Sequence, residues 1–150
     1  MGYYVNITDA NFIIPPENLG EAYRALCALN AHDELKTGGS WGPLPDGSYG
    51  QKEKWFAWMD ANYPETCKDA EAIFTALRFE TDSNPDDGLT LLGYDSKAGG
   101  EEHFLEAVAP FVKPGSYLEW RGEGGEVWRE EYDGRTRRIL RGRILWEEVD

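Results

Sequence analysis

Arginine and tryptophan recur together in the last third of the chain, between Gly115 and Asp150. The pattern predicts three short strands in this segment, over residues 116–121, 126–132 and 137–146. Guanidinium groups bind phosphates through two parallel hydrogen bonds, and an indole ring can stack on a nucleobase. The segment could therefore bind a small anionic ligand, such as a signalling nucleotide, or a partner protein.

Side chains alternate between the two faces of a strand, so the predicted strands would separate these residues. The inward face is predicted to hold Leu118, Trp120, Trp128, Tyr132, Leu140, Ile144 and Trp146. The outward face is predicted to hold Glu119, Arg121, Arg129, Glu131, Arg141 and Arg143. A shift of one residue in the register of any strand would move its side chains to the opposite face.

The candidate ligand- or partner-binding residues have side chains that could meet an anion or a protein surface: Arg121, Arg129, Arg141, Arg143, Trp120, Trp128 and Trp41. The same residues could instead have purely structural roles. Tryptophans usually pack in a core, and the arginines could pair with Glu119 and Glu131 across the strands. Besides the binding of a ligand or of a partner protein, a third possible function is an acid–base reaction. Such a reaction would need one of these two carboxylates.

The charge of the chain is strongly negative, with a formal net value of −13. This charge disfavours direct contact with nucleic acid or an anionic membrane and favours a partner with a basic surface. The segment 135–143 is the exception, because it holds five arginines and no acidic residue. A local positive strip is therefore predicted on a negative body.

Motifs for metal binding, cofactor binding and catalysis are missing from the sequence. His32 and His103 are the only histidines, and neither has a companion at the spacing of a zinc site. Neither the phosphate-binding loop nor the nucleophile elbow of hydrolases occurs. The sequence predicts a non-catalytic protein without a metal or cofactor.

Two cysteines, Cys27 and Cys67, lie in segments with helical periodicity. They are predicted to be free, buried thiols, which suits a reducing cytoplasm. The N-terminal residues lack the basic and apolar regions of a secretion signal, and no apolar run is long enough to span a membrane. A cytoplasmic location without membrane contact is the expectation.

Hydrophobic periodicity predicts an α+β fold in one domain over residues 1–150. The sheet is expected to be antiparallel or mixed, to end in a three-strand C-terminal meander, and to be covered on one face by about four helices. A first strand is predicted up to Pro15 and a hairpin over residues 78–94. Helices are predicted from Pro16, from Gln51, after a capping box over residues 66–69, and over residues 101–113 with Pro110 shortening the last turn. Residues 37–50 are predicted to be a loop.

Several segments resemble a family of small uncharacterised acidic proteins of bacteria and their phages. The resemblance lies in Met1–Ile7 followed by Phe12–Pro15, in Ala107–Val112, and in Gly115–Glu123 followed by Val127–Arg129. No established activity accompanies this family, so the resemblance implies no catalytic residues. It implies a phage or mobile-element origin.

Two hypotheses of different classes follow. The first is a non-catalytic interaction protein, a phage-type inhibitor that binds a basic surface of a host or defence protein. The alternative is a protein that sequesters a small anionic ligand, such as a signalling nucleotide, on an arginine- and tryptophan-rich sheet face.

Overall fold

The computed structural model describes residues 2–150. The chain forms eight strands, most of them consecutive in hairpins or a meander, and four α-helices, which makes the fold α+β, as predicted. The strands are β1 (Tyr4–Ile14), β2 (Gly38–Pro43), β3 (Tyr49–Trp55), β4 (Phe79–Asn84), β5 (Gly88–Lys97), β6 (Tyr117–Gly122), β7 (Val127–Tyr132) and β8 (Arg137–Arg141). The helices are α1 (Leu19–Ala28), α2 (Tyr63–Thr66), α3 (Ala70–Ala76) and α4 (Glu101–Val108).

Six strands form one antiparallel sheet in the order β4-β5-β1-β6-β7-β8. The predicted C-terminal meander is confirmed, since β6, β7 and β8 are consecutive neighbours at one end of this sheet. Strand β1 is central and long, and its pairing with β6 shifts register between Ile7 and Asp9. The meander is thus attached to the middle of the sheet, and β8 forms one of its edges.

The core lies between one face of the sheet and the helices. The buried side chains of the strands and of the helices belong to one hydrophobic cluster. Fully buried members include Phe12, Leu91 and Leu118 from the sheet, and Phe74 and Phe104 from α3 and α4. Removing such a side chain from water stabilises the fold by about 1.5–3 kcal/mol. The predicted covering of one sheet face by helices is confirmed.

Residues 38–55 differ from the prediction. The segment expected to be a loop followed by a helix forms the β2–β3 hairpin instead. Its turn is stabilised by Asp46, whose Oδ1 accepts hydrogen bonds from the backbone N–H and the hydroxyl of Ser48, while Gly47 takes a φ of +88°. The turn signal of this Asp-Gly pair outweighed the apparent helical pattern after Gln51.

The ends of two helices show how local sequence sets their bounds. Asp69 caps α3, since its Oδ1 accepts a hydrogen bond of 2.8 Å from the backbone N–H of Ala72. The prediction placed the cap three residues earlier, at Thr66. The prediction for Pro110 is confirmed: α4 ends at Val108 and continues as a 3₁₀ turn over Ala109–Phe111.

Strand β8 is shorter than predicted and ends at Arg141. Residues 142–150 have no regular secondary structure and are exposed. None of the helices within residues 2–150 is long and apolar enough to cross a membrane.

Candidate functional site

The candidate site is the face of the β6–β7–β8 meander that points away from the helices, here called the outer face. Cross-strand pairing places Glu119 opposite Arg129, and Arg121 opposite Val127. An open depression of about 480 Å³ lies there. It is lined by Thr8, Glu119, Trp120, Arg121, Val127, Trp128, Arg129, Leu140, Arg141 and Gly142.

Arg129 is held in place by its neighbours on the outer face. Its guanidinium donates to Glu119 at 2.6 Å and to Glu131 at 2.9 Å, and lies 3.9 Å from the centre of the Tyr117 ring. Arg138 donates to the other oxygen of Glu131, also at 2.9 Å. Hydrogen bonds from Arg138 and Arg129 lower the pKa of the Glu131 carboxyl, so this group stays charged. The central arginine is therefore neutralised.

Arg121 differs from Arg129 because no carboxylate in residues 2–150 lies within 4.0 Å of it. Its side chain is exposed at the border of the depression. Val127 and Leu140 add apolar surface beside it. The depression thus combines the unpaired Arg121, the neutralised Arg129 and an apolar floor.

The predicted register of the third strand is wrong by one residue. Arg141 pairs with Trp128, and Leu140 pairs with Arg129. Because directly opposed residues share a face, the side chain of Arg141 lies on the side of the sheet that faces the helices, and Leu140 lies on the outer face. Arg143 follows the end of β8. The four arginines therefore do not form one row, although Arg141 borders the depression.

The two tryptophans of the meander lie on the side of the sheet that faces the helices. Trp120 is 2% exposed and donates its indole N–H to Glu130. Trp128 stacks on it, with ring centres 5.9 Å apart and planes at 4°. Both rings therefore pack, and neither is free to stack on a ligand in the outer depression. Trp41 lies on the separate β2–β3 hairpin and is 67% exposed.

A buried ion pair beneath the meander was missed by the prediction. Glu130 is 1% exposed on β7, and Arg137 from β8 binds its carboxylate and also reaches Glu106 at 3.3 Å. Burial raises the pKa of the Glu130 carboxyl, while the charge of Arg137 opposes this shift. Strand alternation places Glu130 inward between Trp128 and Tyr132, which was a signal for a buried carboxylate.

The segment after β8 was predicted to continue the inward row and does not. Ile144 is 72% exposed, Leu145 80%, Trp146 92% and Val149 89%. Large apolar side chains this exposed, adjacent in sequence, are unusual for a protein surface. The inward positions predicted for Ile144 and Trp146 are wrong, because the strand ends before them.

Neither a bound-ion site nor a relative helps to assign a function. Within the described chain, no three His, Cys, Asp or Glu side chains are grouped so that they could hold a metal ion. Comparison with protein-family models, curated proteins and solved structures finds no match for this chain. The chemistry of its own surface is therefore the basis for a proposal.

Proposed function

We propose that the protein is a non-catalytic interaction protein that binds a basic surface of another protein. The observation that carries this proposal is the neutralisation of the outer face, where Arg129 and Arg138 are bound by Glu119 and Glu131. With its central cations paired, this face is a poor site for a purely anionic partner. The net charge of −13 then dominates long-range attraction.

The turn between β4 and β5 shows how negative charge is presented to solvent. Asp86 and Asp87 are exposed there, and Asp82 is exposed near the end of β4. The turn is ordered by Asn84, whose Oδ1 accepts hydrogen bonds from the backbone N–H groups of Asp86 and Asp87 at 3.0 and 2.7 Å. Carboxylates held on a fixed turn can meet lysine and arginine side chains of a partner without a large loss of entropy.

The resemblance to small phage and bacterial proteins supports an inhibitor of a host or defence protein as the biological role. A reducing cytoplasm belongs to the same proposal, since Cys27 and Cys67 are free and half-buried.

The test is capture of partners from a bacterial lysate at low salt, followed by kinetics with the purified partner. We expect its dissociation constant to rise at least about tenfold between 0.05 and 0.5 M salt, because the Debye length shortens. The Asp82→Asn/Asp86→Asn variant should lower the association rate. Arg135→Gln, which removes a positive charge, should not lower it. A partner retained equally at both salt concentrations, or no partner at low salt, would overturn the proposal.

A second candidate function is the binding of a small anion that also has an apolar or aromatic part. The unpaired Arg121 beside the apolar floor of the depression favours it. The guanidinium would hold a phosphate or carboxylate, and Val127 and Leu140 would contact the apolar part.

Thermal-shift measurements with a panel of nucleotides test this candidate. A ligand at a hundredfold excess over Kd stabilises the folded state by about 2.7 kcal/mol, so a true ligand produces a clear rise in Tm. Arg121→Gln should abolish the rise. Arg135→Gln, outside the depression, should preserve it. A panel without any shift, or an equal shift in Arg121→Gln, would remove the candidate.

A further inference from the structure

Two opposite charges border the depression of the outer face without pairing with each other. Glu119 and Arg121 lie two residues apart on β6 and on the same face, which separates their backbones by about 7 Å. Within residues 2–150, no carboxylate oxygen lies within 4.0 Å of a nitrogen of Arg121. The depression of about 480 Å³ therefore offers a ligand a positive and a negative group at its border.

The carboxylate of Glu119 retains an oxygen that is not used inside the protein. Its Oε1 accepts the hydrogen bond of 2.6 Å from Arg129, whereas no donor of the described residues contacts its Oε2. The side chain is 38% exposed and lines the depression. A carboxylate oxygen accepts hydrogen bonds and donates none. Glu119 can therefore receive a hydrogen bond from a ligand that occupies the depression.

A neutral donor fits this oxygen better than a second cation does. Arg129 already compensates the charge of Glu119. An ammonium group at the same carboxylate would lie close to the guanidinium of Arg129 and would be repelled by it. The exocyclic amino groups of adenine and cytosine are donors without a charge.

We infer that the depression binds a nucleotide whose base carries an exocyclic amino group. Its phosphate would bind Arg121, its base would cover Val127 and Leu140, and its amino group would donate to Glu119. This inference rests on the second candidate function above, and it adds Glu119 as the residue that determines specificity. A nucleotide without the amino group would leave this acceptor without a donor and would bind more weakly.

The strand register brings the three contacts together. Arg121 is directly opposite Val127 on β7, so the phosphate and the base would meet neighbouring side chains. Glu119 lies in the next outward row, opposite Arg129, and Leu140 continues this row on β8. The base would therefore extend over the apolar floor with its amino edge toward Glu119.

Adenosine 5′-monophosphate and purine riboside 5′-monophosphate test the inference, because they differ only in the amino group of the base. Their dissociation constants are measured by isothermal titration calorimetry of the full chain. We expect the constant of purine riboside monophosphate to be at least about tenfold higher, which corresponds to one hydrogen bond to a charged group. Arg121→Gln should weaken the binding of both nucleotides, because both carry the phosphate.

Two variants of the outer face isolate the contribution of Glu119. Glu119→Ala should remove the preference, so that both nucleotides bind about equally. Glu131→Ala is the matched control: Glu131 is also a partner of Arg129 but does not line the depression, so the preference should remain at least about tenfold.

The outcomes separate this inference from the function on which it rests. Equal affinities in the wild type that still depend on Arg121 would overturn the role of Glu119 and leave the second candidate function standing. A preference that survives Glu119→Ala would do the same. Failure of adenosine monophosphate to bind would overturn the inference, whereas the second candidate would fail only if the whole panel of nucleotides gave no shift.

Discussion

Replacing Arg137 by methionine should lower the free energy of unfolding at neutral pH by about 3–5 kcal/mol, because the change leaves a buried carboxylate without its cation. Glu130 is 1% exposed, and its other partner is the indole N–H of Trp120. A single hydrogen bond cannot replace a full positive charge in a site of low dielectric constant. Urea unfolding at pH 7 measures the loss.

The loss of stability caused by Arg137→Met should be smaller at acidic pH. Burial raises the pKa of Glu130 above its usual value of 4.5. A carboxyl whose pKa is raised in the folded state contributes stability below its unfolded pKa, and this contribution disappears as pH rises through the folded pKa. Without Arg137 that pKa rises further. The variant should therefore lie closest to wild type below about pH 4.5, where Glu130 is protonated in both.

Two variants control this prediction. Arg138→Met removes an arginine whose side chain is 72% exposed and which binds the partly exposed Glu131, so it should cost only about 0–1 kcal/mol. Glu130→Leu/Arg137→Met removes both buried charges and should recover most of the stability. Equal losses for Arg137→Met and Arg138→Met, or a loss independent of pH, would show that the buried pair does not contribute in this way.

The second large effect is expected for Gly88→Ala, at the turn that enters β5. Gly88 has a φ of +85°, and a Cβ there would lie 2.1 Å from the carbonyl oxygen of Ile14. The left-handed backbone costs an alanine about 1–2 kcal/mol, and the clash with the backbone of β1 adds about 1–3 kcal/mol. We expect a total loss of about 2–5 kcal/mol, measured as a lower midpoint of urea unfolding.

Gly47→Ala is the matched control for the clash. Gly47 has a φ of +88° in the β2–β3 turn, and nothing lies within 4 Å of the position of its Cβ. The Gly47→Ala variant should lose only the stability that corresponds to the left-handed backbone conformation, about 1–2 kcal/mol. If both variants lose the same amount, the close approach of β5 to the end of β1 does not constrain the fold.

Some elements followed from local sequence alone. The helix at Leu19, the shortening of α4 at Pro110 and the strands of the meander depend on interactions within a few residues: side-chain periodicity, a missing N–H and turn residues. Such signals act before distant parts of the chain meet. They were sufficient to predict an α+β fold with a C-terminal meander.

Tertiary structure decided the features that matter for function. Whether residues 51–55 join a hairpin or a helix depended on pairing with residues 38–43. Whether Arg141 shares a face with Arg129 depended on the register of β8, where a shift of one residue reverses every side chain. The alternation of β7 by itself turned Glu130 inward, but only the fold supplied Arg137 as its partner and stacked Trp128 on the buried Trp120. The sequence by itself therefore determined the three strands of the meander, and the register of these strands determined which arginines remain free to bind.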